Sequence, residues 1–344
     1  MKKYLLPENG KFYKANLHTH TTVSDGKLTP EEIKAAYMAE GYSIVAYTDH
    51  EVMVSHEDLT DENFLAITSV EFALNQPSCG LGFPLVKTYH FNLYAKDPKA
   101  VKAPGFCERG IWLPQSRPYV TDEMRSAQDY PRIYAPQYIN SVIDRAAAQG
   151  FLVSYNHPVW SLQDYTDYSE LRGLWGIEIH NTGCVNLGLP DTVQPFEDLL
   201  RKGEKVFPLA TDDTHNPADC FGGFVMVKAE KLEYATVMTA LEKGDFYAST
   251  GAKIEEISIE NGVLKVVCPN AASVFINTDC RTTKRKVAER GESFDEAEFD
   301  LNEYLSLAKK AADRIGTKPF IRVTVKNTEG KTAHSRAYFL EELI

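Results

Sequence analysis

The sequence predicts an α/β protein: a βα barrel of seven strands followed by a small antiparallel β domain. Three observations carry this. From residue 11 to about residue 250, short β-like runs alternate with helix-length segments. Residues with ligating or acid-base chemistry sit at or just beyond the ends of those runs, as they do at the C-terminal face of a barrel. After Gly251 the pattern changes to brief alternating runs separated by turn residues.

The barrel strands are expected at Phe12–His20, Ser43–Asp49, Phe64–Phe72, Thr88–Tyr94, Phe151–His157, Leu174–His180 and Val206–Asp212. Between the first two, Thr29 offers an N-cap, Pro30 a first helical residue and Glu31 and Glu32 an acidic first turn, while Gly41 ends the helix. Pro136 to Gly150 repeats the proline start and glycine stop around Ile139, Val142, Ile143 and Ala146, and Asp191 to Gly203 reads as another helix. At about 96–136 the alternation lapses into a segment rich in proline, aromatics and arginine, too aromatic for disorder and long enough for a lid or binding loop. The first unit is thus 1–250 with this insertion, and the small β domain is 251–344. In the latter, strands are expected at Ile254–Glu260, Val263–Cys268, Ser273–Asn277, Pro319–Lys326 and Ala337–Leu340, with turns at Asn261-Gly262, Pro269-Asn270 and Glu329-Gly330. Leu301–Ile315 suits a helix, and the acidic stretch 295–303 resists assignment.

Composition bounds the function. With 344 residues, 43% hydrophobic and 25% charged, the chain is of ordinary globular make-up and long enough for two domains. No run approaches the ~20 apolar residues of a membrane helix, and the basic start breaks at Pro7 and Gly10, so a cytoplasmic protein is expected. Six cysteines without a Cys-x-x-Cys pair fit a reducing compartment, and even Cys268 and Cys280, which flank an expected turn, are read as thiols. A net charge of −11 argues against a nonspecific nucleic-acid surface. It leaves open a phosphorylated small molecule, because bound cations would make a pocket locally positive.

The chemistry starts at His18 and His20, an i, i+2 pair whose rings would face one way on a strand. Alone, such a pair is more often two packed core histidines. Asp25, Asp49 and His50 follow within the next strand unit, Glu71 closes a strand, and Asp213 with His215 repeats the i, i+2 spacing at the far end of the series. An imidazole and carboxylate set without sulfur suits a hydrolytic divalent-metal site better than a structural zinc knot.

Asn16-Leu17-His18-Thr19-His20-Thr21 with Ser24-Asp25-Gly26, then Thr48-Asp49-His50, Glu71, His90, Asn156-His157-Pro158 and Thr211-Asp212-Asp213-Thr214-His215 resemble the PHP (polymerase and histidinol phosphatase) metallohydrolase family over about residues 11–250. The resemblance implies a distorted seven-stranded (β/α)7 barrel holding two or three divalent ions, usually zinc, manganese or iron. It implies one ion on His18, His20, Glu71 and Asp213, a second on Asp25, His50 and His215, and a third on Glu71, His90 and His157. Asp25 stands where trinuclear members carry histidine, as in longer relatives with a C-terminal β extension; the third ion is therefore open, with His90 or His157 alternatively contacting substrate.

Two cations sharing a water supply hydroxide near neutral pH, so the expected activity is a phosphoesterase acting on a small phosphorylated substrate through a bridging hydroxide, with Glu71 and Asp213 at the reacting centre. A carboxylic ester, carbamate or amide hydrolase on the same site is the first alternative, and a noncatalytic metal-binding module the second. His180 is the candidate acid for the leaving group, against a packed histidine, and Asp49 and Asp212 are expected to orient imidazoles. Arg109, Arg117 and Arg132, with Arg125 beside them, are candidates for gripping phosphate, against solvated surface roles. Trp112 and Tyr119 are read as a hydrophobic seam under the lid rather than a stacking platform. His56 is expected to be exposed and His334 to lie far from the site.

Overall fold

A computed structural model describes residues 1–77, 81, 84–126 and 132–344. Cys79 lies outside the described residues; the remaining five cysteines are free thiols. The chain is a mixed α/β structure built on one large sheet. Its strands are β1 (Lys3–Tyr4), β2 (Lys11–Asn16), β3 (Tyr42–Tyr47), β4 (Leu65–Asn75), β5 (Thr88–Ala95), β6 (Phe151–Tyr155), β7 (Gly176–Asn181), β8 (Phe207–Thr211), β9 (Phe224–Ala229) and β10 (Phe246–Ser249). There follow β11 (Glu256–Glu260), β12 (Val263–Thr278), β13 (Lys284–Val287), β14 (Phe294–Asp300), β15 (Phe320–Asn327), β16 (Thr332–Ser335) and β17 (Tyr338–Phe339).

Strands β2 to β8 pair in chain order, and a parallel bridge between Thr19 and Thr214 joins the chain beyond β2 to the chain beyond β8. That bridge carries His20 N–H to Thr214 O at 3.0 Å, and Asp213 N–H reaches His18 O at 3.0 Å nearby. The series is not wholly parallel: β5 runs antiparallel to β4 and β6. His90 therefore reaches the common rim from near the start of its strand, and Glu71 does so from the middle of β4 rather than its end. The helix Pro30–Ala39 forms as expected, with a reciprocal cap between Thr29 and Glu32. Pro136–Ala148 and Gln194–Arg201 also form.

Strands β9 and β10 and the helix Tyr234–Lys243 escaped the sequence pattern. So did β13, β14 and β16. The expected Pro269-Asn270 turn is instead interior to the 16-residue β12, where a register shift between Val267 and Ala271 and a positive φ of 57° at Asn270 absorb the irregularity. The acidic stretch is β14, whose Ala297 and Phe299 face inward while Asp and Glu alternate outward. One apolar cluster fills the β2–β10 series and a second gathers Leu5 and Leu6 with β11–β17. Because β1 pairs with β11, the first residues pack against the C-terminal strands. Strand β10 pairs with β16, and the buried Arg322 guanidinium binds Glu197, so the two clusters meet along a bonded seam.

Candidate metal centre

Each side chain arrives for a local reason. Beyond β2, Asn16 ties its amide to His18 O at 3.0 Å and Thr19 Oγ1 at 2.7 Å, fixing the two buried histidines that flank Thr19. The following loop is pinned by Asp49, whose carboxylate accepts from Thr21 N, Thr21 Oγ1, Ser24 N and Ser24 Oγ at 2.6–3.1 Å. That fold turns Asp25 inward and needs Gly26, since a Cβ there would fall 2.3 Å from His20 O. Asp212 is bound by five donors, from Tyr37, Thr182, Phe221, Gly222 and Gly223, and so sets the loop that presents Asp213. His157 and Asp213 both carry positive φ, 26° and 53°, a strained conformation for non-glycine residues. Glu178 Oε2 accepts from His157 N and holds it there at 2.9 Å.

At the hub stands Glu71. Imidazole nitrogens of His18, His20, His50, His90 and His157 lie 3.1–3.4 Å from its carboxylate oxygens. Asp213 Oδ1 lies 3.2 Å from His18 Nε2 and 3.1 Å from His20 Nε2, and those two nitrogens are 3.2 Å apart. Asp25 faces His50 Nε2 at 3.6 Å and His215 Nε2 at 3.5 Å. All nine residues fall into overlapping groups whose donor atoms lie within 4.8 Å of one another.

This donor set fits divalent cations. Nitrogen and oxygen ligands at ~2.0–2.2 Å from a tetrahedral ion lie about 3.3–3.6 Å apart, close to the 3.1–3.2 Å spacing of His18, His20 and Asp213. Asp213 Oδ1 and His50 Nδ1 are buried with no hydrogen-bond partner, the signature of atoms reserved for another ligand. Several imidazoles are also oriented from behind: Glu178 Oε1 sits 2.6 Å from His18 Nδ1, Ser161 Oγ 3.2 Å from His157 Nδ1, and the Asp213 carbonyl 3.0 Å from His215 Nδ1.

The electrostatics follow from crowding acids and bases in a buried space. Burial favours the neutral forms of His18 and His20, yet the carboxylates of Asp213 and Glu71 override it, raising both and bringing His20 to about 10. Burial, then the charge on His20, pushes His50 down to about 3, and burial also lowers His90. Burial opposes ionisation of Glu71 and Asp213 too, but the imidazoles, His90 foremost around Glu71 and His18 around Asp213, hold both well below the usual carboxylate range. Without a cation the cluster thus keeps protons on some imidazoles to balance its acids.

The other sequence candidates are placed elsewhere. His180 has Nδ1 on Asp191 at 2.8 Å and Nε2 on Thr182 Oγ1 at 3.1 Å. Regular alternation would have put it on the side of Glu178, but the register of β7 against β8 shifts between Glu178 and His180, with Ile179 as an extra residue. Asn181 takes the inward position instead, donating to Asp213 Oδ2 at 3.1 Å and Glu178 Oε2 at 2.9 Å. Arg132 donates to Ala73 O and to the buried Glu51, stacking over Phe72, and Arg117 donates to Ile111 O. Arg125 pairs with Glu108 and Asp122, and Arg109 lies exposed on a 3₁₀ turn. Asp49 and Asp212 order loops rather than imidazoles. Trp112 corrects the expected seam: it is 59% exposed, its ring 5.6 Å from that of His50, and Tyr119 is exposed as well. Trp160, by contrast, packs edge-on against His90 and His157. Gln115 and Ser116 dock this part of the insertion on the 23–24 backbone. His56 is half-buried against Tyr47, and His334 lines a cavity shared with His180.

Sequence reasoning missed Glu178, although a glutamate in the otherwise apolar run Gly176-Ile177-Glu178-Ile179 was the signal for it. It also missed Asn156 as a clamp; the amide donates to Glu71 Oε1 at 2.8 Å.

No family model and no curated protein matches the chain. Among solved structures, a two-domain protein from Bacteroides vulgatus containing a predicted PHP-like metal-dependent phosphoesterase is similar at 14% identity, with 98% of this chain and 97% of that chain covered and a TM-score of 0.45. A candidate metal-dependent phosphoesterase from Bifidobacterium adolescentis is 17% identical over 70% of this chain and 98% of its own, with a TM-score of 0.38. An amidohydrolase from Chromobacterium violaceum, with bound sulfate and no metal, is 14% identical over 67% of this chain and 96% of its own, at a TM-score of 0.41.

Proposed function

We propose that the chain is a PHP-type metallohydrolase acting as a phosphoesterase on a small phosphorylated substrate. The observation that carries this reading is Glu71 with five imidazoles around one carboxylate, flanked by Asp213 and Asp25. We read β2–β8 as the distorted seven-stranded barrel, within 1–250, and residues 251–344 as the small β domain. In this reading, which follows the family resemblance, His18, His20, Glu71 and Asp213 hold one divalent ion, Asp25, His50 and His215 a second, and Glu71, His90 and His157 a third; the donor atoms that lie within 4.8 Å of one another are those of His18, His20 and Asp213, of His20, Asp25, His50 and His215, of His18, Glu71 and His157, and of His50, Glu71 and His90. Zinc, manganese and iron suit such a set.

Ions bound there would polarise a phosphoryl oxygen and make water a nucleophile near neutral pH. The chain's own residues do the positioning. Glu178 fixes the His18 ring with Nε2 facing the cluster, and the Asp213 carbonyl does the same for His215. Asn156 and Asn181 clamp the carboxylates of Glu71 and Asp213, so that neither rotates away. Trp112 stands over His50 at the mouth, where it limits approach from that side.

Protein purified without chelator should carry at least one transition metal per chain by plasma mass spectrometry. It should hydrolyse nitrophenyl phosphate in preference to nitrophenyl acetate. Substoichiometric metal would end the metallohydrolase reading, and turnover of the acetate alone would transfer it to carboxylic esters.

A further inference from the structure

A second hollow lies outside the cluster. It occupies about 220 Å³ along the seam, walled on one side by His180 and Asp191 and on the other by Thr250, Thr332 and His334. That is far more than the ~10–15 Å³ that one water needs on the same measure. A smaller hollow, lined by His157, Trp160 and Asn181 on the cluster side, has His180 and Asp191 in its wall as well, so the two adjoin there. Along β7, His180 is two residues from Glu178, about 6.7 Å by strand rise. The seam hollow therefore begins within one small molecule's length of the His18 partner.

We propose that this seam cavity is the distal half of the substrate site and takes an uncharged, polyhydroxylated group, a sugar or polyol, with Thr332 and His334 as its specificity residues. The proposal rests on the phosphoesterase reading. Its lining is a set of short-range donors and acceptors over an apolar floor of Ile179, Val193 and Ala210, which suits a molecule with hydroxyls on one side and C–H bonds on the other. Among the described residues no lysine or arginine lines it and Asp191 does, so an anion is disfavoured at this end. His334 spends Nδ1 on Thr324 Oγ1 at 3.3 Å and keeps Nε2 for a ligand. Burial, with Arg322 nearby, lowers that imidazole to about 4, leaving it neutral and able both to donate and to accept. The Thr250 and Thr332 hydroxyls are hydrogen-bonded to each other at 3.4 Å, and Thr250 Oγ1 also accepts from Thr332 N at 3.0 Å, which leaves the Thr332 hydroxyl the freer of the two for a ligand.

The test compares sorbitol 6-phosphate, long enough to reach the seam, with phenyl phosphate, which is too short and lacks hydroxyls, on the metal-loaded full chain. Wild-type protein should favour sorbitol 6-phosphate. Thr332→Val and, separately, His334→Gln should each cut that preference in kcat/KM about tenfold, the loss of one hydrogen bond. A preference that neither variant moves overturns the proposal. If no phosphate ester is turned over, the phosphoesterase reading fails, and saturation-transfer NMR with free sorbitol decides the cavity independently. Contact signals in wild type that vanish in Thr332→Val support it; their absence from wild type overturns it.

Discussion

The candidate metal centre and the seam hollow are both lined by histidines, yet His20 in the one and His334 in the other are driven in opposite directions. Around Glu71, several carboxylates compete for protons and raise His20 to about 10, whereas His334 at the seam, buried and near Arg322, falls to about 4. Burial pushes both imidazoles the same way; the neighbouring charges decide the outcome. Within the cluster a cation would take the place of the His20 proton, whereas His334 meets a ligand as a neutral hydrogen-bonding group.

The harshest way to break this contrast is to remove an acid from the centre. Asp213→Ala should strip the site of metal and reduce hydrolysis by on the order of 10³-fold or more, read by metal content and initial rates. Arg132→Met tests a charge that serves neither hollow. It would leave the buried Glu51 unpaired and should cost about 3 kcal/mol of stability in denaturant titrations, while the folded fraction keeps its KM within about twofold. Glu178→Gln removes the charge that orients the His18 ring. Competition with a chromogenic chelator should show metal affinity lowered about 10–100-fold, with the fold intact by circular dichroism.

The gentlest probe is pH. In chelator-treated protein His20 binds its proton more tightly when folded than its ordinary value of 6.5, so its stabilisation is complete below 6.5 and disappears as pH rises to about 10. His334 has the reverse sign: its contribution is present above 6.5 and lost as pH falls through about 4. Thermal midpoints should therefore shift by a few degrees on each limb. Metal loading should abolish the alkaline shift, and His334→Gln should reduce the acid shift, the remainder coming from His50, which burial holds down to about 3.

Much of the centre was legible in sequence because its ligands sit in short, fixed spacings. His18 and His20, Asp49 and His50, and Asp213 and His215 are each near neighbours in the chain, so local geometry already groups them. What escaped depended on pairing between distant segments. The direction of β5 cannot be read from Thr88–Ala95 itself, nor can the extra residue in β7 that turns His180 away from Glu178. The insertion arginines misled for a related reason. Sequence shows the guanidinium but not its nearest acceptor, here Glu51 for Arg132 and Ile111 O for Arg117. Strand β14 was hidden by its outward acids, and the continuity of β12, read as two strands, by a proline that a register shift accommodates.

The single surplus residue in β7 has a consequence for how such a molecule diversifies. Because Ile179 is taken up by the register shift, Ile179 and His180 both line the seam hollow while Glu178 and Asn181 keep the inner side. A lineage that deleted Ile179 would retain the Glu178 and Asn181 supports in register and forfeit part of the seam's floor. A change of one codon in length, with no substitution at the centre, would then reshape the seam hollow while sparing the cluster around Glu71.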